Sequence, residues 1–504
     1  MQKAIGNRLG WLGAVDFVTP HVPRLRECAA AVRRDGFTDV VLLGMGGSSL
    51  APEVMRRVIG VAPGTPNFRM LDSTDPDAVR DAFARAGTSL FVLASKSGTT
   101  IEPNVMAAEA QRRLREAGIA NPGSRFIAIT DEGTALHTRA QHEGFRDCFV
   151  NPSDIGGRYS ALSFFGMVPA ALMGVDIDAL LQSARAMAVA CRDTNPETNP
   201  GLALGALMAS AARAGRDKMT LLVPNQLEAF GLWVEQLVAE STGKHGKGVI
   251  PIAGEPATAP MGSDRATVAM SLGGAAPPAT PALMTLSMSD THALGAEFFR
   301  WEVATAAAGF LLDINPFDEP NVQQAKDATR KLLDAYTSHR RLPVPEPHAS
   351  RDGIRLTLSA AAQGAAVDPE RFLDLARPRD YACLLAYLPP DVSPFDPLLV
   401  QARRRIGQRT RCATMIGYGP RYLHSTGQLH KGGANNGLFI VLAAPATEDL
   451  AIPGGTYSFG VLEQAQAIGD FQSLDHAGRR ALFVQLPSRD PLLIQRALDL
   501  LLQS

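Results

Sequence analysis

The 504-residue sequence lacks the features that mark several large protein classes. It has five cysteines, which are scattered, form no Cys-x-x-Cys pair and indicate free thiols in a reducing compartment: Cys28, Cys148, Cys191, Cys383 and Cys412. No apolar run reaches the roughly 18 residues that a membrane-spanning helix needs. Met1–Pro20 also lacks the charged-then-apolar pattern of a secretion signal. We therefore expect a cytoplasmic protein with no membrane partner.

The sequence also lacks an excess of charge of either sign. The net charge is -1 at pH 7 and the pI is about 6.8, so no overall positive field exists to attract nucleic acid. No histidine pair at metal-ligand spacing joins a carboxylate, and we expect neither a metal nor another cofactor. With 46% hydrophobic and 20% charged residues, the chain has the balance of an ordinary globular protein with two to four domains.

A hydroxyl-rich turn is the most informative segment present. The apolar run Leu90–Ala94 predicts a buried parallel strand, Ile101–Gly118 predicts a helix, and Ser95-Lys96-Ser97-Gly98-Thr99-Thr100 joins them. Such a turn directs free backbone N–H groups and the positive end of the helix dipole outward, where an anion fits. Four hydroxyls add donors without fixed charge, which suits a small phosphoester: Ser95, Ser97, Thr99 and Thr100. The plain alternative is a Ser/Thr-rich cap on an ordinary helix.

A second turn follows the apolar run Val40–Leu43 and reads Gly44-Met45-Gly46-Gly47-Ser48-Ser49-Leu50-Ala51-Pro52. Its glycines allow close approach of the backbone to a ligand. The third glycine and the acidic residue of the dinucleotide fingerprint are absent, as is the Gly-Lys-Ser/Thr of a nucleoside triphosphate loop. Two hydroxyl-bearing turns in successive β-α units predict one phosphosugar pocket at the carboxyl ends of adjacent strands.

Strand and helix patterns alternate in three regions, which predicts an α/β fold throughout. We expect a first domain over residues 1–180, a second over 181–341 and a smaller C-terminal α/β domain over 342–504. The proline-rich segment Leu342–Pro347 is interpreted as the linker before the third domain.

Five separate motifs, in order, resemble those of the phosphoglucose isomerase family. They are the glycine turn Gly44–Pro52, the phosphate loop Ser95–Glu102, the arginine motif Gly156–Ser160, the glutamate motif Glu240–Lys244 and the lysine motif Asn315–Lys326. The resemblance covers about Gly36 to Lys331 and implies two sugar-isomerase domains, each a doubly wound, three-layer unit with a parallel sheet. The third region, through Gly419–Gly433, is similar to the isomerase half of transaldolase–phosphoglucose isomerase fusion proteins, although no transaldolase half is visible.

The resemblance implies an aldose–ketose isomerase that interconverts glucose 6-phosphate and fructose 6-phosphate through an enediolate. Glu240 would move the proton, Arg158 would stabilise the enediolate and Lys326 would help to open the sugar ring. The hydroxyls of Ser95, Ser97, Thr99 and Thr100 would hold the phosphate. The sugar would lie against Gly47, Ser48 and Gly157.

Two positions depart from the family pattern. The family's ring-opening histidine follows a Gly-Glu-Pro, yet after Gly254-Glu255-Pro256 no histidine occurs until His292. The family's glutamine after Phe-Asp is Glu319 here. Ring opening is therefore unassigned, and the candidates stay open: His245, His292, His424, His430 or Lys326 alone.

Other functions and partners also remain open from sequence alone. The substrate could be another phosphosugar such as mannose 6-phosphate, or the chain could be a sugar-phosphate sensor without turnover. The family resemblance implies a homodimer and leaves a functional link to transaldolase open. The Gly419–Gly433 loop is either an anion-contacting flap, through Arg421, His424, Ser425, His430 and Lys431, or a surface loop.

Overall fold

The computed structural model describes residues 5–256, 258–275 and 280–502. The outer ends of the expected first and third domains, 1–4 and 503–504, lie outside the described residues. Within the described ranges the five cysteines are free. No helix there is long and apolar enough for a membrane span, and no group of three or more His, Cys, Asp and Glu side chains could hold a metal ion.

The first sheet has five parallel strands in the order β2-β1-β3-β4-β5. They are β1 (Asp39–Leu43), β2 (Asn67–Leu71), β3 (Ser89–Ala94), β4 (Phe126–Asp131) and β5 (Asp147–Asn151). The central strands are buried on both faces, as their continuous apolar runs predict. The helices before and around this sheet are α1 (Ala14–Val18), α2 (Val22–Arg34), α3 (Leu50–Val58), α4 (Pro76–Ala82), α5 (Ile101–Glu116), α6 (Ala135–His142), α7 (Phe164–Leu172) and α8 (Ile177–Ala190).

The second sheet has four parallel strands in the order β7-β6-β8-β9. They are β6 (Lys218–Leu222), β7 (Ile250–Ile252), β8 (Arg265–Leu272) and β9 (Met284–Met288). The helices along residues 200–339 are α9 (Pro200–Arg213), α10 (Phe230–Thr242), α11 (Leu294–Leu311) and α12 (Val322–His339), and α12 packs against the helix Phe459–His476 of the third region. The two parallel sheets confirm the predicted fold class for the first two regions, and apolar side chains from both contribute to one continuous core.

The third sheet is mixed, with the strand order β10-β11-β15-β14-β12-β13. Four of its strands run parallel, as expected for an α/β domain: β12 (Tyr381–Tyr387), β13 (Ala413–Tyr418), β14 (Gly437–Ala443) and β15 (Arg480–Gln485). The antiparallel hairpin of β10 (Ala349–Arg351) and β11 (Ile354–Leu358) was not predicted. The helices are α13 (Ala360–Gln363), α14 (Phe395–Thr410), α15 (Gly427–Gly432), α16 (Phe459–His476) and α17 (Pro491–Leu502).

Buried polar contacts bind the third region to the carboxyl edge of the first sheet. Arg421 donates two hydrogen bonds to Asp72, at 2.7 and 3.0 Å. The Thr74 hydroxyl donates to Gln466 at 2.8 Å, and Arg489 Nη1 lies 2.6 Å from Asp75 Oδ2. Because Asp72, Thr74 and Asp75 directly follow β2, loops of the third region lie beside the turns that end the strands of the first sheet.

Candidate functional site

The phosphate loop lies where predicted, between β3 and α5, and its own side chains hold its shape. Ser95 Oγ accepts from the Gly98 N–H at 3.1 Å, while Ser97 and Thr99 hydroxyls lie 3.0 Å apart. Gly98 adopts a φ of +69°, a conformation that favours glycine. Thr100 precedes α5 without a capping bond from its side chain, so the first-turn N–H groups remain available to an anion.

The glycine turn packs directly against the arginine motif. A Cβ on Gly47 would lie 2.0 Å from the carbonyl oxygen of Gly157, so only glycine fits there. Ser160 Oγ donates to the Gly47 carbonyl at 3.2 Å and to the Gly157 carbonyl at 2.7 Å. Gly47 therefore allows the two backbone segments to pack closely. This contact sets the position of the backbone at Arg158, the residue after Gly157.

The Gly47→Ala variant is expected to lose about 3 kcal/mol of unfolding free energy, because the added methyl group overlaps backbone that cannot rotate away. Denaturant titration measures this loss. Gly13→Ala is the control, since nothing lies within 4 Å of its added Cβ, and it should change the unfolding free energy by less than about 1 kcal/mol. Equal stability of the two variants would contradict the packing role of Gly47.

Arg158 and Glu240 meet in a buried cluster at the end of α10. Arg158 Nε lies 3.8 Å from Glu240 Oε2, and the two side chains are only 6% and 10% exposed. The guanidinium also donates to Ser241 Oγ and the Pro316 carbonyl, each at 3.1 Å. The same guanidinium reaches Glu319 Oε2 at 2.7 Å, so the family-atypical carboxylate of Glu319 is the direct partner of Arg158.

The electrostatic surroundings favour a basic carboxylate at Glu240. Burial raises its pKa above the ordinary glutamate value, Arg158 opposes the rise and Glu319 adds to it. Lys244 stands fully buried behind this cluster and donates to the Asn315 carbonyl at 2.6 Å and to Asp318 Oδ1 at 2.8 Å. Burial lowers the pKa of Lys244 to about 8. These bonds position the segment whose carbonyl groups contact Arg158.

A cavity of about 470 Å³ opens at the phosphate loop. Ser97, Thr99 and Thr100 line one side, and Lys326, which is exposed on α12, lines the other. The remaining predicted residues do not line this cavity: Ser95, Gly47, Ser48, Gly157, Arg158 and Glu240. A larger apolar groove of about 1170 Å³ lies elsewhere, on α8, α9 and α11, and contains none of the predicted site residues.

Glu102 and Gln466, which the sequence did not single out, also line this cavity beside the candidate histidine His424. His424 Nε2 lies 2.9 Å from Glu102 Oε1, and Gln466 donates to the same oxygen at 2.7 Å. Burial of Glu102 opposes its ionisation, but His424, a backbone hydrogen bond and the charge of Lys326 together outweigh burial, so the pKa of Glu102 lies below its ordinary value. Glu102 could have been singled out as the acidic residue in the first turn of α5. No spacing rule links it to His424, 322 positions away.

Gln236 connects this cavity to the Arg158–Glu240 cluster. Its side-chain nitrogen donates to the His424 carbonyl at 2.8 Å and to Glu240 Oε2 at 3.3 Å. Gly46, with a φ of +53°, lies directly beside both partners, because a Cβ there would meet the His424 carbonyl at 2.6 Å and Gln236 Nε2 at 2.7 Å. Gln236 and His424 therefore link Glu240 to the cavity at the phosphate loop, and the glycine turn packs against both of them.

The other candidate histidines do not line this cavity. His292 lies in a short 3-10 helix before α11, where its carbonyl accepts from Ser183 at 2.7 Å. His430 is buried in the core of the third region against Cys383, and burial holds its pKa well below the ordinary value. His245 lies in the tight turn between Lys244 and Lys247, with a φ of 54°.

The comparisons with known proteins agree on one family. The model of the family described as phosphoglucose isomerase matches residues 30–254. A glucose-6-phosphate isomerase of Synechococcus sp. (strain JA-3-3Ab) is 36% identical over 214 residues, which are 41% of this chain and 40% of that protein. The chloroplastic glucose-6-phosphate isomerase 1 of Arabidopsis thaliana is 35% identical over 216 residues, 41% of this chain and 35% of that protein. This chain thus spans about two fifths of the length of the curated relatives that it matches.

Solved structures confirm the fold. A hypothetical protein from Thermus thermophilus superposes with a TM-score of 0.57 at 23% identity, covering 65% of this chain and 90% of that one. A glucose-6-phosphate isomerase from Chlamydia trachomatis gives a TM-score of 0.52 at 19% identity, covering 62% of this chain and 73% of that one. The predicted α/β fold class, with parallel sheets flanked by helices, is therefore confirmed.

Proposed function

We propose, from the match of residues 30–254 to the phosphoglucose isomerase family model, that this chain interconverts glucose 6-phosphate and fructose 6-phosphate. The observation that carries the proposal is the pairing of buried Glu240 with Arg158, one side chain away from a cavity that begins at the phosphate loop. A base, a fixed positive charge and an anion-binding turn are the three parts that this reaction needs.

Glu240 is the proposed base. In the open-chain aldose, its carboxylate removes the proton from C2, the C–H electron pair forms a C1=C2 double bond, and the electrons of the C1=O1 bond move to O1. The proton of the O2 hydroxyl passes to O1, and the O2 electron pair that it leaves forms the carbonyl at C2. The electrons of the C1=C2 double bond take the first proton back from the carboxyl group at C1. The raised pKa of Glu240 makes the carboxylate a stronger base than an exposed glutamate.

Arg158 is the proposed stabiliser of the enediolate. A guanidinium keeps its charge throughout the reaction and presents several donors in a fixed plane. Its contacts with the Pro316 and Asp318 carbonyls and with Ser241 hold it in place before substrate arrives. Donors that are oriented in advance stabilise developing charge without reorganisation, which lowers the barrier to enediolate formation.

The phosphate loop would anchor the substrate so that its reacting carbons face Glu240. Ser95, Ser97, Thr99 and Thr100 supply hydroxyl donors, and the start of α5 supplies backbone N–H groups. Lys326, across the cavity, would contact the sugar oxygens. Ser48 and Gly157 would line the sugar end next to Gly47. Such positioning converts binding energy into a lower barrier.

The broader assignments extend the same proposal. We assign the chain to the cytoplasm and to glycolysis or gluconeogenesis, as a homodimer. We retain the division into domains at residues 1–180, 181–341 and 342–504. The family resemblance supports the pathway, the homodimer and the division into domains. The free thiols support the cytoplasmic location.

A coupled assay tests the function directly. Purified protein is supplied with fructose 6-phosphate, and glucose 6-phosphate is detected through its oxidation by an added dehydrogenase. We expect turnover, whereas binding of fructose 6-phosphate without product would identify a sensor. Parallel reactions started from mannose 6-phosphate should give no fructose 6-phosphate, and preferential conversion of mannose 6-phosphate would assign a different substrate.

The Thr99→Val variant tests the phosphate loop. It removes a hydroxyl that lines the cavity while keeping side-chain shape, so we expect KM to rise about tenfold with a smaller change in kcat. Steady-state kinetics with fructose 6-phosphate measure both constants. Thr194→Val, at an exposed threonine in the apolar groove, is the matched control and should leave KM unchanged. Unchanged KM in Thr99→Val would remove Thr99 from the phosphate site.

A further inference from the structure

We propose that Glu319 is a specificity residue: its carboxylate holds a position on Arg158 that a ligand must take, and it excludes sugar phosphates that carry a carboxylate at C1. The inference rests on the proposed function, in which Arg158 faces the oxygens on C1 and C2 of the open-chain sugar. Position 319 also departs from the family pattern, which has a glutamine there. Because the amide of glutamine is neutral, the departure adds one negative charge beside the guanidinium.

Every donor on the two terminal nitrogens of Arg158 has a partner. Nη1 donates to Ser241 Oγ and to the Pro316 carbonyl, each at 3.1 Å. Nη2 donates to the Asp318 carbonyl at 3.3 Å and to Glu319 Oε2 at 2.7 Å. These partners use the four N–H groups of the two nitrogens, so a substrate oxygen can accept from one of them only by replacing a partner.

Glu319 is the partner that a ligand can replace. The two carbonyl groups belong to the backbone, and Lys244 holds that segment through its bonds to the Asn315 carbonyl and Asp318 Oδ1. Ser241 is fully buried, whereas the Glu319 side chain is 47% exposed. Its rotatable side-chain bonds allow the Glu319 carboxylate to turn into solvent. An oxygen atom that reaches Nη2 therefore takes the place of Glu319.

Glu319 also lies next to the wall of the cavity at the phosphate loop. It precedes α12 by three residues, and Val322 and Gln323, the first two residues of that helix, line the cavity. The Arg158 side chain is only 6% exposed and does not line it. A sugar that extends from this cavity to Arg158 therefore meets the Glu319 carboxylate at the guanidinium.

The charges around Arg158 make this position selective. Glu319 and Glu240, which lies 3.8 Å from Nε, place two carboxylates beside one guanidinium. The ammonium group of Lys244 is itself paired with Asp318. The carbonyl group of an open-chain sugar is neutral when it binds, and the charge of the enediolate appears only later. A carboxylate at C1 would be a third negative charge at the same guanidinium, and such like charges lower affinity.

Two open-chain probes separate the effect of charge from the effect of shape. Sorbitol 6-phosphate carries an alcohol at C1 and 6-phosphogluconate carries a carboxylate there, while the carbon chain and the phosphate are the same. Isothermal titration calorimetry at neutral pH measures both dissociation constants. We expect Glu319→Gln to bind 6-phosphogluconate at least about tenfold more tightly than the wild type does, and to bind sorbitol 6-phosphate within about threefold of the wild-type affinity.

The outcomes separate this inference from the proposed function. Unchanged affinity of Glu319→Gln for 6-phosphogluconate would overturn the inference, and turnover by the wild type would leave the proposed function standing. An equal gain for both probes would show a change of shape and would also overturn the inference. A wild type without turnover that still shows the gain for 6-phosphogluconate alone would reject the proposed function and keep the role of Glu319. A wild type that binds neither probe would overturn both.

Loss of sorbitol 6-phosphate binding in Glu319→Gln would show that the carboxylate holds the site together, which counts against the inference. Glu27→Gln is the matched control, because Glu27 also forms an ion pair at 2.7 Å, with Arg34, but lies on α2 and does not line the cavity. It removes the same unit of charge, and its affinity for 6-phosphogluconate should stay within about threefold of the wild-type value. A gain equal to that of Glu319→Gln would assign the effect to overall charge and overturn the inference.

Discussion

Replacing Glu240 with glutamine is expected to lower kcat for fructose 6-phosphate by about a thousandfold or more. The amide keeps the size of the side chain and can still accept from Gln236, but it cannot remove a proton from carbon. The substrate should still bind, so the loss should appear in kcat and much less in KM. The coupled assay with fructose 6-phosphate measures both.

A matched control lies on the same helix. Glu235 is also on α10, and burial raises its pKa to about 7, yet its neighbours are Arg403 and the Ala253 N–H. Glu235→Gln should keep kcat within about threefold, since surface or remote substitutions rarely reach the chemistry. Equal loss in the two variants, or equal activity in both, would remove Glu240 from the mechanism.

The pH dependence gives an independent check on Glu240. The ionised carboxylate is the active form, and its pKa is raised by burial, so kcat/KM should fall on the acid side with a midpoint above 4.5, the ordinary glutamate pKa. The same shift favours the protonated carboxyl in the folded state, a stabilisation that is lost as pH rises through the folded-state pKa. Glu240→Gln should therefore melt no lower than the wild type at neutral pH.

Arg158→Lys is expected to lower kcat about a hundredfold while the positive charge is kept. The ammonium group cannot reproduce the planar set of donors that contacts Ser241, Pro316 and Glu319, so the charge no longer lies where the enediolate oxygens form. Steady-state kinetics with fructose 6-phosphate measure the loss.

Arg480→Lys is the matched control for Arg158→Lys. Arg480 is also buried and ion-paired, with Asp380 at 2.8 Å, but it lies in β15, away from the cavity. The two substitutions impose similar strain on a buried ion pair, so stability losses should be comparable while only Arg158→Lys loses kcat. A full kcat in folded Arg158→Lys would show that position 158 needs charge alone.

The central strands were predictable because burial on both faces requires a continuous run of apolar residues. β1 and β3 are continuous apolar runs, and their predicted runs, Val40–Leu43 and Leu90–Ala94, agree with the structure within one residue. β7 was missed because it is only three residues long and contains Pro251. The β10–β11 hairpin was missed although Asp352-Gly353, both with positive φ, is a strong two-residue turn signal.

The candidate site was predictable only in part, for a similar physical reason. The phosphate loop is a run of consecutive residues, so its motif and its position between a strand and a helix can be recognised from the sequence. The meeting of His424 with Glu102 does not, because it depends on how the third sheet docks on the first, through pairs such as Arg421 with Asp72. The substitution of Glu for Gln at position 319 was visible, but its pairing with Arg158 needed three dimensions.

The docking of the third region has a thermodynamic consequence. A phosphosugar in the cavity would touch α5, α12 and the Arg421–His424 segment together, and binding to the native state alone raises the stability of every segment that forms the pocket. Opening any one of them would release the ligand. Saturation with substrate would therefore merge the first and last thirds of the polypeptide into a single cooperative unfolding unit.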